Sequence, residues 1–349
     1  MKQRLAWIDF LRGIAVLGMI ETHVVNTFLT PFARIGNGFA LLSYLNGLVA
    51  PTFLFVSGLL QGLWLRKHCA THSSLAPKWK SIALLFLIGY GLQFPWDAML
   101  DTEKIFASFG RVDILHCIAG SLAITLLLTR FSRSETRNDI LLLVFSIIIV
   151  IAAPYVWNSI ANSANSTSPW VGYVGKQNGA LFPLIPWSAF LFSGVLVSRW
   201  ISNVRILGVL SLITYALGWI LKALLKNAFE LQTYEIRSDF FFFRLSFVLL
   251  ACAVCAQVLQ SQKSGPITRA INWCGSRSLL LYVWHLILLY GGIGILPPLH
   301  KLFSRTQNAT GVVGLFFLTL ASTLALTWAW QWTASRILVA RKKQGIGCP

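Results

Sequence analysis

Long apolar segments alternate with short polar connections along the chain. A helix needs about 20 apolar residues to cross the hydrocarbon core of a bilayer, and segments near this length recur throughout the sequence. The pattern therefore predicts an all-α, polytopic membrane helix bundle with about ten transmembrane helices. The predicted spans are residues 5–29, 39–65, 79–95, 112–130, 139–157, 181–198, 205–225, 240–260, 278–296 and 311–334.

Basic side chains are distributed unevenly over the connections between these spans. If the amino end is cytoplasmic, most lysine and arginine residues fall in connections on the inner side. The positive-inside rule then places both termini in the cytoplasm. We expect a single transmembrane domain over residues 1–335 and a basic cytoplasmic tail over residues 336–349.

The composition agrees with a membrane protein, because 56% of the residues are hydrophobic and only 11% are charged. The net charge of +18 raises the question of nucleic acid. Topology accounts for much of the basic excess, and no basic patch interleaved with aromatic residues favours nucleic acid. Cys252 and Cys255 have CxxC spacing but lie within an apolar span without a second ligand pair, so we expect no metal or redox site.

The first apolar segment contains four ionisable residues, Asp9, Arg12, Glu21 and His23. Ionisable groups in hydrocarbon cost about 2.5–3.5 kcal/mol each on insertion scales, so they tend to face a bundle interior and serve function. Arg12 and His23 fall on nearly the same helix face, about 16 Å apart. Asp9 can pair with Arg12 at i,i+3, whereas Glu21 points away and needs another partner. The alternative is a snorkelling pair near the interface and an interfacial histidine.

Arg111, Asp113 and His116 open the fourth span. Asp113 and His116 share a face at i,i+3, so the carboxylate is placed to orient the imidazole. On the predicted topology His116 and His23 lie towards the outer leaflet, and we expect them to share a cavity. The alternative is that Arg111 and Asp113 are interfacial and that His116 bonds a carbonyl.

Polar residues also interrupt later spans. Ser57 and Gly58 lie mid-membrane, where the serine can contact a ligand or the pair can allow close helix packing. A proline-containing kink positions Trp187. Residues 275–279 begin the ninth span and His285 follows at a depth of about 12 Å by helical rise, so His285 should be neutral and hydrogen-bonded.

The outer connection over residues 158–180 is rich in asparagine and tryptophan. These side chains suit a sugar, although an interfacial aromatic belt explains the tryptophans equally well. Asn165 also begins a glycosylation acceptor sequence.

Spacing shows no nucleophilic triad, zinc-protease motif or phosphate loop. Three intramembrane histidines, Arg12 and a few acids suit general-base catalysis or a histidine-borne acyl intermediate. The same residues suit a proton-coupled transporter or flippase. A third hypothesis is a non-catalytic membrane partner of a polysaccharide-synthesis complex.

Four segments resemble known acyltransferases. Arg12-x10-His23 resembles the R-x10-H signature of the acyltransferase-three family. Residues 5–15 are more similar still to the heparan-alpha-glucosaminide N-acetyltransferase-like catalytic domain. Residues 111–119, 182–194 and 275–285 are similar to later blocks of that domain, in the same order.

This resemblance implies a multi-helix membrane enzyme that transfers an acetyl or other acyl group from cytoplasmic acyl-CoA to a carbohydrate-like acceptor on the far side. The heparan enzymes have their catalytic histidine in the loop after the first helix. Here residues 24–39 contain no histidine, so the catalytic role is carried over to His23.

The expected roles fall into three groups. The catalytic residues are His23, Arg12, His116 and Asp113. The residues that contact acetyl-CoA are Arg12, Asp9, Ser57, Arg277 and Ser278. The residues that contact the acceptor or line its cavity are Glu21, Arg111, Trp187 and His285.

The expected partners are acyl-CoA, a sugar or glycan acceptor and the lipid bilayer, without metal or nucleic acid. A homodimer is compatible with the sequence. The expected location is the plasma membrane, in particular a bacterial inner membrane.

Overall fold

The computed structural model describes residues 6–71, 75–96, 99–130, 134–162, 168–225, 234–261, 265–291 and 297–343. Within these ranges helices make up most of the chain and no β-strand is present, apart from an isolated bridge between Leu29 and Gln307. The predicted all-α class is therefore confirmed.

Fourteen α-helices are found in the described ranges. They are α1 (Ala6–Phe28), α2 (Asn37–Asn46), α3 (Val49–Thr71), α4 (Ala76–Gln93), α5 (Thr102–Ser108), α6 (Ile114–Arg130), α7 (Glu135–Ala161), α8 (Leu184–Val197), α9 (Val204–Leu224), α10 (Ser238–Ser261), α11 (Pro266–Ser276), α12 (Ser278–Leu286), α13 (Leu299–Phe303) and α14 (Ala309–Lys343).

Each predicted span coincides with one or two of these helices, and the second span divides into α2 and α3. In the described part of the chain, five helical segments are long and apolar enough to cross a membrane. These are Asn37–Lys67, Glu135–Ala161, Val204–Leu224, Ser238–Leu259 and Ala309–Ile337. They support a multi-pass membrane protein, while ten crossings and cytoplasmic termini stay predictions.

The chain divides into two compact units. The first comprises Met1–Val49 and Lys263–Pro349, and the second comprises Ala50–Gln262. Helix α14 continues to Lys343, so the predicted boundary at residue 335 lies within a helix.

In the first unit, α1 packs against α11, α12 and α14. The contact with α11 is backbone against backbone. A Cβ atom added at Gly13 would lie 2.1 Å from the carbonyl oxygen of Ile271, and one added at Gly275 would lie 1.7 Å from that of Asp9. Only glycine fits at these two positions, and the contact brings Asp9 and Arg12 close to the start of α12.

An apolar cluster holds the other end of α1. Ile20, Val24 and Phe28 pack with Leu289 and Val312, and all five are buried. The cluster joins α1 to α14 and to the wider π-helical turn Ile287–Gly291, which follows α12. His23 therefore lies on a helix whose two ends are both held by close packing.

In the second unit, α9 packs along α10, α7 along α8, and α4 along α6. Helices α3 and α8 also approach closely, since a Cβ added at Gly58 would lie 1.8 Å from the carbonyl oxygen of Leu191. This contact supports the helix-packing interpretation of Gly58. Arg66 pairs with Glu135 at 2.9 Å and with Asp139 at 3.1 Å, which ties α3 to the start of α7.

Gly275→Ala is expected to separate α11 from α1. Overpacking of this kind costs about 1–3 kcal/mol, and here the added methyl group meets backbone that cannot turn aside. Thermal unfolding in detergent, followed by tryptophan fluorescence, should show a lower melting temperature. Gly314→Ala in α14 is the control, because its added Cβ has no atom of a neighbouring described element within 4 Å. Equal melting temperatures for the two variants would contradict this account of the α1–α11 contact.

Candidate functional site

Arg12 bridges α1 and the first residue of α12. Its Nη2 donates a hydrogen bond to Oγ of Ser278 at 2.6 Å, and its Nη1 lies 3.8 Å from Oδ1 of Asp9. The predicted i,i+3 pair is thus confirmed. The Arg12 side chain is 24% exposed and that of Asp9 is 12% exposed, so this charge pair is largely withdrawn from the surface.

Arg277 lies beside this pair, at the junction of α11 and α12. Its Nε donates to Oε1 of Gln331 at 2.6 Å, and its Nη1 donates to Oγ of Ser276 at 2.9 Å. The guanidinium group also lies over the ring of Trp273, 4.6 Å from its centre. Two guanidinium groups, Arg12 and Arg277, thus lie at this junction with one carboxylate, that of Asp9, and guanidinium groups are suited to phosphate.

His23 lies further along α1, in a cluster of polar side chains. Its ring centre is 5.2 Å from that of His285 on α12. Its Nδ1 lies 3.3 Å from the hydroxyl oxygen of Tyr290, which in turn lies 2.8 Å from Oγ1 of Thr27. Tyr290 belongs to the π-helical turn, and such turns often occur at functional sites.

His285 is fully buried in this cluster. Its Nδ1 lies 2.9 Å from the carbonyl oxygen of Leu281. A carbonyl only accepts, so Nδ1 carries the hydrogen and Nε2 of the neutral ring carries the lone pair. Among the described residues Nε2 has no hydrogen-bond partner. The predicted burial and hydrogen bonding of His285 are confirmed.

Glu21 lies apart from this row, as its position on the helix predicts. Its carboxylate is hydrogen-bonded to the side chain of Asn46 at the end of α2. The expectation that it needs a partner other than Arg12 is confirmed.

His116 is a buried histidine of the second unit, and its bonding differs from that of His285. Its Nδ1 accepts a hydrogen bond from the backbone N–H of Asp113 at 3.3 Å. In the neutral ring the hydrogen is therefore on Nε2, which has no partner in the described part of the chain. The Asp113 carboxylate accepts from the N–H of Ile114 at 2.7 Å, and its predicted contact with the ring stays a prediction.

Two tyrosines face His116. The ring centre of Tyr90 is 4.4 Å from that of His116, and the ring centre of Tyr173 is 6.4 Å away. The two tyrosine hydroxyl groups are hydrogen-bonded to each other. Burial, and then the bond to Tyr90, raise the pKa of Tyr173 above its ordinary value, so the Tyr173 hydroxyl keeps its proton at neutral pH.

The structure describes the other predicted donor and acceptor contacts of the second unit one by one. Ser57 is half-buried on α3, and Arg111 is exposed just before α6. Trp187 is buried on α8 between the rings of Phe182 and Phe240, at 4.9 and 5.9 Å. Its Nε1 has no hydrogen-bond partner among the residues that the structure describes. The acceptor sequence at Asn165 lies outside the described residues.

The structure thus brings together two groups from the predicted list in the first unit: Asp9 and Arg12 with Ser278, and His23 with His285. His116 and Asp113 form a group in the second unit, and a cavity shared by His23 and His116 stays a prediction. Tyr290 was not predicted from the sequence. It follows His285 by five residues, a spacing that a regular α-helix would not place on the same face.

No group of three or more histidine, cysteine or acidic side chains that could hold a metal ion occurs in the described ranges. The side chains gathered in the candidate site offer imidazole, guanidinium and hydroxyl groups. Such groups hold anions and move protons.

A helical chain with several membrane-length apolar helices is a multi-pass membrane protein, and His116 and His285 are acid–base groups buried in its interior. The family model for heparan-alpha-glucosaminide N-acetyltransferase, catalytic, matches residues 4–224. This is more than half of the chain, so the chain belongs to that family, which makes it a membrane acetyltransferase. A search of curated proteins finds no match. Residues 275–285 lie beyond the matched range, so their resemblance stays a prediction.

Tyr290→Phe is expected to lower the rate of acetyl transfer about tenfold, because it removes the hydroxyl that bonds His23 and Thr27. One hydrogen bond is worth about 0.5–1.5 kcal/mol net, and about 1.4 kcal/mol corresponds to a factor of ten in rate. Tyr215→Phe, a partly exposed tyrosine on α9, is the matched control. Steady-state CoA release measures the effect, and equal rates for both variants would exclude a positioning role for Tyr290.

Proposed function

We propose that this chain transfers an acetyl group from acetyl-CoA to a hydroxyl or amine of a carbohydrate-like acceptor, with His23 as the general base. The observation that carries the proposal is the cluster of His23, His285 and Tyr290. His23 lies on the same helix as Arg12, in a chain that belongs to an acetyltransferase family.

Arg12 and Arg277 are the groups proposed to hold the phosphates of acetyl-CoA. Both present a planar guanidinium group, which pairs well with phosphate, at the junction of α11 and α12. Asp9 and Ser278 hold the Arg12 guanidinium group in place, and both remain proposed contacts for the donor. Arg12 and His23 are about 16 Å apart along α1, which separates phosphate binding from acetyl transfer.

In the proposed step, the acceptor oxygen or nitrogen attacks the carbonyl carbon of the thioester. His23 takes the acceptor's proton as the new C–O or C–N bond forms. The C–S bond then breaks, and the CoA thiolate leaves and takes up a proton. A neutral imidazole is suited to accept a proton at neutral pH.

In this scheme Tyr290 determines which ring nitrogen of His23 accepts the proton. If the tyrosine hydroxyl donates to Oγ1 of Thr27, it accepts from Nδ1–H of His23. The lone pair is then on Nε2, which faces the acceptor in our scheme. His285, bonded to a carbonyl through Nδ1, stays neutral and lines the site.

His116 is the second acid–base candidate, with Asp113. Because its Nδ1 accepts from a backbone N–H, its Nε2 in the neutral ring is a donor. This geometry suits a group that donates to the acceptor better than one that removes its proton. It favours His23 as the base. Glu21, Arg111, Trp187 and Ser57 remain proposed contacts for acceptor or donor.

We further propose that acetyl-CoA is used from the cytoplasm and that the acceptor lies on the outer side of a plasma membrane, such as a bacterial inner membrane. The excess of basic residues in the predicted inner connections supports this orientation. The alternative of a proton-coupled transporter or flippase receives no support from the family.

His23→Ala is expected to lower acetyl-CoA-dependent CoA release at least a hundredfold, because a general base contributes about 10²–10⁴ in rate. The assay uses purified protein in liposomes, acetyl-CoA, a thiol-reactive dye and glucosamine or an envelope-glycan extract as acceptor. Asn26→Ala, an exposed position one turn later on α1, is the control and should keep the wild-type rate. A His23→Ala protein that melts normally and transfers at the wild-type rate would remove the central assignment.

Omitting the acceptor separates direct transfer from an acyl-histidine intermediate. Direct transfer with His23 as base predicts no rapid release of CoA without acceptor. A burst of one CoA per enzyme molecule, with an acetyl group on His23 by mass spectrometry, would instead establish the covalent route.

A further inference from the structure

Helix α14 carries a row of buried threonines in the first unit. Thr319, Thr323 and Thr327 are each 0% exposed. They are spaced four residues apart, so they follow one side of the helix. Three fully buried hydroxyl groups in an apolar, membrane-length helix need an explanation.

Two of these hydroxyl groups are unpartnered. A threonine in a helix commonly bonds the carbonyl oxygen four residues earlier. Thr323 does so, with its Oγ1 2.7 Å from the carbonyl oxygen of Thr319, and so does the exposed Thr333, at 2.9 Å from that of Ala329. Within the described ranges Oγ1 of Thr319 and Oγ1 of Thr327 have no hydrogen-bond partner. A buried hydroxyl left unsatisfied costs about 1–3 kcal/mol, so each of these groups calls for a partner that the described chain does not supply.

The row lies between the two groups of the candidate site. Helix α14 packs against α1 and α12. Gln331, four residues after Thr327, accepts the hydrogen bond of Arg277. Leu315, four residues before Thr319, packs in the cluster that contains Leu289, next to Tyr290. The threonines therefore lie along α14 between the level of Arg277 and the level of the histidine cluster.

The distances between these residues suit an extended ligand that has polar groups along its length. Thr319 and Thr327 are about 12 Å apart along α14, and Arg12 and His23 are about 16 Å apart along α1. The pantetheine arm of CoA joins the phosphates to the thioester by an extended chain of comparable length. It carries two amides, whose N–H and C=O groups can bond a threonine hydroxyl as acceptor or donor.

We propose that Thr319 and Thr327 bind the pantetheine arm of acetyl-CoA through its amides and so align the thioester with His23. This inference rests on the proposed function. The two threonines are positioning residues, since their hydroxyls contact the arm and not the reacting carbonyl.

The test compares Thr319→Val and Thr327→Val with wild type on three thioesters: acetyl-CoA, acetyl-pantetheine and S-methyl thioacetate, which has no amide. Valine keeps the volume of threonine and removes the hydroxyl. The KM for acetyl-CoA and for acetyl-pantetheine should rise about 3–10-fold, while KM for S-methyl thioacetate stays unchanged. Serine at the same positions should restore the wild-type KM. Thr333→Val, on the exposed side of α14, is the matched control and should change none of these constants.

Each other outcome contradicts the proposal. An unchanged KM for acetyl-pantetheine, or an equal rise for S-methyl thioacetate, would show that the hydroxyls hold water or support packing. If a valine variant does not fold, the alanine variant and equilibrium binding of CoA to the purified protein replace it, and unchanged affinity overturns the assignment. A wild-type protein that releases no CoA would overturn the proposed function and this inference together, whereas active valine variants with wild-type KM would overturn this inference alone.

Discussion

The contact between α1 and α11 is the constraint on which the rest of the candidate site depends. Gly13 and Gly275 let the two backbones touch, with no room for a side chain at either position. This contact places the polar start of α12 against Asp9 and Arg12, and the Arg12–Ser278 hydrogen bond then joins the two helices. A charged pair in an apolar helix is costly unless it is held in this way. The packing that joins α1 to α11 thus also lowers the cost of placing this charged pair in an apolar helix.

The chemical type of the polar groups next to α1 differs between its two ends. Guanidinium groups lie at the junction of α11 and α12, and imidazole and hydroxyl groups lie near Tyr290. Between them α14 contributes hydroxyls, two of which are unpartnered in the described chain. This order of anion-binding, neutral polar and proton-accepting groups matches the proposed donor. Acetyl-CoA carries anionic phosphates at one end and an uncharged acetyl group at the other. The neutral rings of His285 and His116 also differ in tautomer, because Nδ1 bonds a carbonyl oxygen in His285 and a backbone N–H in His116.

Much of this arrangement is legible in the sequence. Hydrophobic pattern predicts the helical class and the position of the helices, and i,i+3 spacing predicts the Asp9–Arg12 pair. The cost of burial predicts that His285 is hydrogen-bonded. Resemblance predicts the family, which the match over residues 4–224 confirms.

The remaining features depend on tertiary contacts, which the spacing of residues along the sequence does not predict. Tyr290 reaches His23 because the helix widens into a π turn after α12, which shifts the face that each residue occupies. Asp113 contacts His116 through its backbone N–H, a group that every residue but proline carries. The threonines of α14 look like ordinary packing residues until their burial and missing partners are seen together.

Vectorial transfer in sealed vesicles tests the central claim most directly. Acetyl-CoA carrying a labelled acetyl group is supplied on the face that exposes the basic connections, and the glycan acceptor is enclosed on the other face. The account predicts labelled acceptor inside the vesicle and unlabelled CoA outside, both lost in His23→Ala. Label that reaches the acceptor only when donor and acceptor share one face, or that transfers without His23, would contradict it.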